Sequence, residues 1–169
     1  MKTSTDILMF NCALDVSSKE YVRYRKPGLY NYLLIVTAFQ QTAHKEDFRD
    51  TLAKLVDYYS LDELEDGIFN FAGSLLGEAI THDNVIGARI LLERGVNVNE
   101  SYTICDVILT NPMQTCLSEK SSPEMLSLLV EYGAGLLAKS PMTGLTPLHS
   151  LIVGQSQVKD ILDILSKHE

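Results

Sequence analysis

The 169-residue chain has little cysteine: Cys12, Cys105 and Cys116, an odd count with no CxxC pair. That speaks against a disulfide framework and against a zinc site built from paired cysteines. Reduced thiols acting as small apolar packers are expected, in an intracellular, cytoplasmic protein. Positive charge is also scarce, with 14 Lys and Arg against 22 Asp and Glu and a net charge of −8. Such a chain lacks the clustered cations that phosphate-backbone binding needs, so nucleic acid is not an expected partner. No run approaches the ~20 apolar residues of a membrane helix, so no membrane insertion is expected. Near the N-terminus only Ile7-Leu8-Met9-Phe10 is continuously apolar, too short for a secretory core. G-x-x-x-x-G-K-[ST], G-x-S-x-G and H-E-x-x-H are all absent. The chain is therefore read as a non-enzyme without metal or cofactor.

What is present is repetition. Three segments align, starting at Ser74, Asn111 and Thr146, with starts 37 and 35 residues apart. In the third, Thr146 suits an N-cap and Pro147 the first helical position. Leu148, Leu151 and Ile152 then share one helical face. Gln155-Ser156-Gln157 breaks the pattern, and Val158, Ile161, Leu162 and Leu165 mark a second apolar face. The first two segments each close a helix on glycine, at Gly95 after Leu91-Leu92-Glu93-Arg94 and at Gly133 after Leu129-Val130-Glu131-Tyr132. Glycine takes the left-handed conformation that ends a helix without a Cβ clash. Short amphipathic helices cannot bury their apolar faces alone, but stacked neighbours supply one another with a continuous core.

Gly144 with Thr146-Pro147-Leu148-His149 matches the G-x-T-P-L-H signature of the ankyrin-repeat family, and Leu91 to Asn99 (LLERGVNVN) resembles its L-L-x-x-G-A-D-V-N. Asn111-Pro112-Met113-Gln114 and Glu131-Tyr132-Gly133-Ala134 resemble the same two signatures more weakly. The family's period is about 33 residues, so the connecting loops here carry small insertions. Ser74-Leu75-Leu76-Gly77 departs from T-P-L-H. Bulkier pairs, Ala79-Ile80, Cys116-Leu117 and Leu151-Ile152, replace the usual Ala-Ala. The resemblance implies an all-α fold: an ankyrin-repeat solenoid of stacked helix–turn–helix units over residues 70–169 (about 70–105, 106–140 and 141–169).

Residues 1–69 form a helical N-terminal region, a degenerate repeat or a cap. Tyr30 to Phe39 is apolar nearly all round and reads as a buried helix or a strand. Phe48, Leu52, Leu55, Val56 and Tyr59 trace an amphipathic helix. Ser60 and Glu63 suit a capping box.

Isolated chemistry is given structural readings. His149 supports the turns by hydrogen bonding in the family, a role preferred here to catalysis. His44, His82 and His168 are scattered. The run Tyr21-Val22-Arg23-Tyr24-Arg25-Lys26 reads as a solvated face. Glu46-Asp47, Glu63, Glu65 and Asp66 read as solvated charge.

The resemblance implies binding of another protein along the concave face. The turn-tip positions are Asn70, Phe71, Val107, Ile108, Met142, Thr143 and Leu145; the first-helix positions are Thr81, His82, Ser118, Glu119 and Val153. Phe71, Val107, Ile108, Met142 and Leu145 would form an apolar strip. Alternatively, Cys105 to Leu109 tucks inward. Two other functions stay open: an enzyme or enzyme-regulatory subunit with a site near His44 and the repeats presenting substrate, and self-association through Leu162, Ile164 and Leu165. The family also includes effectors that intracellular bacteria deliver into host cells.

Overall fold

The computed structural model describes residues 35–40, 42, 46–57, 59–61, 64, 74–104, 108–119, 121–137, 139, 144–147, 149, 163 and 166. The described part is helical. Residues 35–40 form α1, a short 3-10 turn spans Glu46–Phe48, and α2 spans Arg49–Val56. Two helix pairs come next in the chain: α3 (Leu75–Thr81) with α4 (Val85–Glu93), and α5 (Pro112–Ser118) with α6 (Pro123–Glu131).

The helix starts are explained by their first residues. Ser74 Oγ accepts from the Gly77 N–H at 3.1 Å, and Asn84 Oδ1 from the Gly87 N–H at 2.8 Å. Asn111 Oδ1 and Ser122 Oγ do the same for Gln114 and Met125, each with proline at the first helical position. Each such cap stabilises a helix by about 1 kcal/mol.

The helix ends are equally legible. Gly95 and Gly133 take φ of 96° and 82°. The Gly95 and Val96 N–H groups return to the Leu92 and Leu91 carbonyls, and Gly133 and Ala134 return to Val130 and Leu129. These are Schellman closures, which satisfy the last helical carbonyls. The first helix of the earlier pair closes the same way without glycine. Asp83 holds φ 50° while its N–H and that of Asn84 return to Ile80 and Ala79.

Each second helix packs on its own partner and on the neighbouring unit: α3 touches α4 and α5, α4 touches α2 and α6, and α5 touches α6. One continuous core results. Leu91 and Leu129 are both 0% exposed within it, as are Leu52, Ala79, Ile80 and Met125. Of the expected α2 stripe, Leu52, Leu55, Val56 and Tyr59 are buried and Phe48 is half-buried. The Leu64 N–H returns to the Ser60 carbonyl as in a helical start, while Glu63 lies outside the described residues.

One short element among the described residues is not helical. Tyr102–Ile104 (β1) and Ile108–Thr110 (β2) pair antiparallel, with Tyr102 opposite Thr110 and Ile104 opposite Ile108. Both stretches are aromatic or rich in β-branched residues, which suit a pleated surface. The hairpin joins the two helix pairs. Its Tyr102 ring is buried over Gly77, where an added Cβ would lie 2.6 Å from the ring.

Candidate interaction face

α3 and α5, the first helices of the two pairs, lie side by side and form what we call the inner layer. Its exposed side chains come from the last turn of each. Thr81 and Ser118 are exposed, and each hydroxyl donates to a carbonyl one turn back, Gly77 and Thr115, at 3.0 Å. Glu119 is exposed at the C-cap of α5. His82 is half-buried at the C-cap of α3, its Nδ1 3.2 Å from the Glu78 carbonyl oxygen and 3.8 Å from the Glu78 carboxylate. The structure therefore sets these four sequence-derived residues at matching ends of neighbouring helices.

Of the expected tip residues, Ile108 lies in β2 opposite Ile104. Leu145 is 43% exposed, and its carbonyl accepts from Gln114 Nε2 at 3.2 Å. Asn70, Phe71, Val107, Met142, Thr143 and Val153 lie outside the described residues. So do His44 and the aromatic–basic run 21–26, together with the apolar residues Leu162, Ile164 and Leu165.

Several participants escape a reading of sequence alone. Tyr102 reaches from the hairpin to the inner layer, its hydroxyl 2.6 Å from Thr115 Oγ. Burial raises its phenol pKa above the ordinary range, and the nearby Glu78 and Glu119 carboxylates push it the same way. Glu78 is the largely covered carboxylate of this layer, its side chain 15% exposed. Gln40 Nε2 approaches it at 3.4 Å. Asn99 clasps the next turn: its Nδ2 donates to the Gly133 carbonyl at 3.0 Å and its Oδ1 accepts from the Gly135 N–H at 2.7 Å. Only a pairwise comparison of the repeats, with Asn99 facing the turn after Gly133, could have pointed to it.

Thr146 and His149 form a local unit. The ring Nδ1 lies 2.7 Å from Thr146 Oγ and accepts from the Thr146 N–H at 3.3 Å. Cys116 is buried, and burial pushes its thiol up to about 12. It is held as an unreactive thiol, since the thiolate is the nucleophilic form.

The outer layer differs. A cleft of about 240 Å³ is lined by Glu46, Arg49, Val85, Ile86, Arg89 and Glu124. Its arginines face carboxylates: Arg49 lies 3.6 Å from Glu46 and 3.9 Å from Glu93, and Arg89 lies 3.9 Å from Glu131. Among the described residues no group of three or more His, Cys, Asp or Glu side chains is placed to hold a metal ion. No described helix is long and apolar enough to cross a membrane. The chain matches no protein-family model and no curated protein.

Proposed function

We propose that the chain is a short solenoid of ankyrin-type helix–turn–helix units and that it binds another protein through its inner helices and turn tips. The observation that carries this reading is the duplicated pair. α3–α4 and α5–α6 start on polar caps, end on left-handed glycine, pack side by side and are joined by a hairpin. Stacked units of this kind present side chains from a rigid scaffold over an extended surface. Thr81, His82, Ser118, Glu119 and Leu145 supply the described part of that surface, with Ile108 placed in β2 beside it. Asn70, Phe71, Val107, Met142, Thr143 and Val153 complete it as proposed from the sequence. A cytoplasmic location and a role as adaptor, regulator or effector belong to the same proposal.

Affinity capture from cell lysate with the full chain tests it. Thr81→Arg combined with Ser118→Arg removes the captured protein while leaving the melting temperature within a few degrees, because both positions are exposed. Arg89→Ala on the outer layer leaves capture intact. Undiminished capture by the folded double variant overturns the assignment of the face.

A further inference from the structure

Successive units are tied by their inter-helix turns, and the ties repeat. Asn84 Nδ2 donates to the Phe39 carbonyl at 2.7 Å and to Thr42 Oγ at 3.3 Å. One unit on, Ser121 Oγ donates to the Ile80 carbonyl at 3.3 Å, and the Ser122 N–H and hydroxyl both donate to Asp83 Oδ1, at 3.0 and 2.9 Å. Phe39 therefore corresponds to Ile80, and Thr42 to Asp83, with the same offset in numbering. Packing agrees: α2 lies on α4 as α4 lies on α6. The described residues between 35 and 57 thus form a stacking unit of the same kind, and α1 is a third inner helix. Its exposed Gln40 corresponds to Thr81, and Thr81 to Ser118, so three exposed, uncharged polar side chains share one register across the layer.

Positive charge avoids the inner helices. Among the described residues, Arg49, Lys54 and Arg89 lie on outer helices, Arg94 on the turn that ends one and Lys139 beyond the turn that follows α6. Each of these arginines has an ionic partner, including Arg94 with Asp57 at 2.6 Å. The inner helices α1, α3 and α5 contain no Lys or Arg. They present Glu78 and, at the α5 cap, Glu119, both of which bear on the Tyr102 phenol between α3 and α5. Glu78 is mostly covered, and among the described residues its carboxylate has long side-chain contacts, Gln40 at 3.4 Å and His82 at 3.8 Å. A covered carboxylate with weak donors gains most from a charge-assisted hydrogen bond.

Resting on the protein-binding reading, we propose that the inner layer takes an extended peptide segment of a partner protein. The segment crosses α1, α3 and α5 along Gln40, Thr81 and Ser118 and sets a Lys or Arg side chain between Glu78 and Glu119. Complementary charge at Glu78 and Glu119 selects such a partner.

The probe is a displayed library of random 12-residue peptides, selected on the full chain and read by fluorescence anisotropy. Selected peptides are enriched in Lys or Arg. Glu78→Gln with Glu119→Gln weakens them about 10-fold or more, the scale of a lost charge-assisted contact. Gln40→Ala weakens them about 2- to 5-fold, as for a lost neutral hydrogen bond. Arg89→Ala changes nothing. Melting curves that match the parent show that the Gln variants fold. Peptides without basic enrichment, or insensitive to the Glu pair, overturn this inference and leave the protein-binding reading standing. Loss through Glu78 and Glu119 with full binding by Gln40→Ala removes α1 from the surface. Failure to select any peptide overturns this inference, while capture from lysate by the parent chain still decides the protein-binding reading.

Discussion

The two helix pairs α3–α4 and α5–α6 share a scaffold and differ in how each is fastened to its C-terminal neighbour. Both have polar caps and left-handed glycines. At the fourth position of the first helix, counting its cap, the earlier pair has Gly77 and the later pair Gln114. Gly77 leaves room for the Tyr102 ring, and Gln114 reaches out to the Leu145 carbonyl. After the glycine turn the earlier pair has Asn99, which clasps the next turn from both sides, and the later pair has Leu137, 73% exposed. The contrast teaches that the helix–turn–helix frame is generic, while the fastening between units is particular to each junction.

The comparison can be broken first at what the pairs share. Leu91→Ala and Leu129→Ala should each cost about 2–5 kcal/mol, since both sites are fully buried. Thermal melts that leave one of them unaffected would show that the two pairs do not form one core. Polar replacement, Leu129→Asp, should abolish the cooperative melt.

The junctions come next. Gly77→Ala should destabilise by about 1–2 kcal/mol, because the displaced Tyr102 ring costs more than the roughly 1 kcal/mol that alanine adds to a helix. Gln114→Ala should change stability by no more than about 0.5 kcal/mol, as surface substitutions usually do. Equal denaturant midpoints for the two variants would remove the distinction. Tyr102→Phe should cost about 1 kcal/mol by removing its contact with Thr115.

Alkaline titration gives a further view of the α3–α5 junction. Cys116 rises from an ordinary 9.0 to about 12 in the folded chain. Its contribution is complete below pH 9, where both states hold the proton, and is lost as pH climbs from 9 towards 12, where only the unfolded thiol ionises. Tyr102 shifts in the same direction and adds to the loss above its ordinary 10.0. Cys116→Ala should flatten the first part of that decline in a series of melts from pH 8 to 11. A small effect is expected at Asn99→Ala, about 0.5–1 kcal/mol, because its clasp is exposed to water.

Much of this frame is readable from residues alone. Ser74, Asn84, Asn111 and Ser122 start helices because a short polar side chain satisfies a free N–H. Gly95 and Gly133 end them for a backbone reason, and helical spacing marks the core leucines. The missing parts are non-local or too short. A strand of three residues carries too few alternations to be distinguished from a loop. Asp83 carries no glycine signal for its positive φ, yet its side chain reaches Ser122 in the next unit. Tyr102 and Gly77 are a lock only once the hairpin has folded back. Of the proposed face, Thr81, His82, Ser118 and Glu119 were legible because they share a helix register. Glu78 was not, since its significance depends on Gln40, Tyr102 and Glu119 arriving from other elements.

Asn84 sets a limit on dissection. It is 0% exposed, begins α4 with its oxygen and holds the α1 terminus with its nitrogen. Any fragment cut between residues 60 and 74 keeps the oxygen's partner and strands the nitrogen's. The helix pairs are therefore not interchangeable blocks. A trimmed chain would need a replacement at this one amide before its helix pairs could stand without the residues ahead of them.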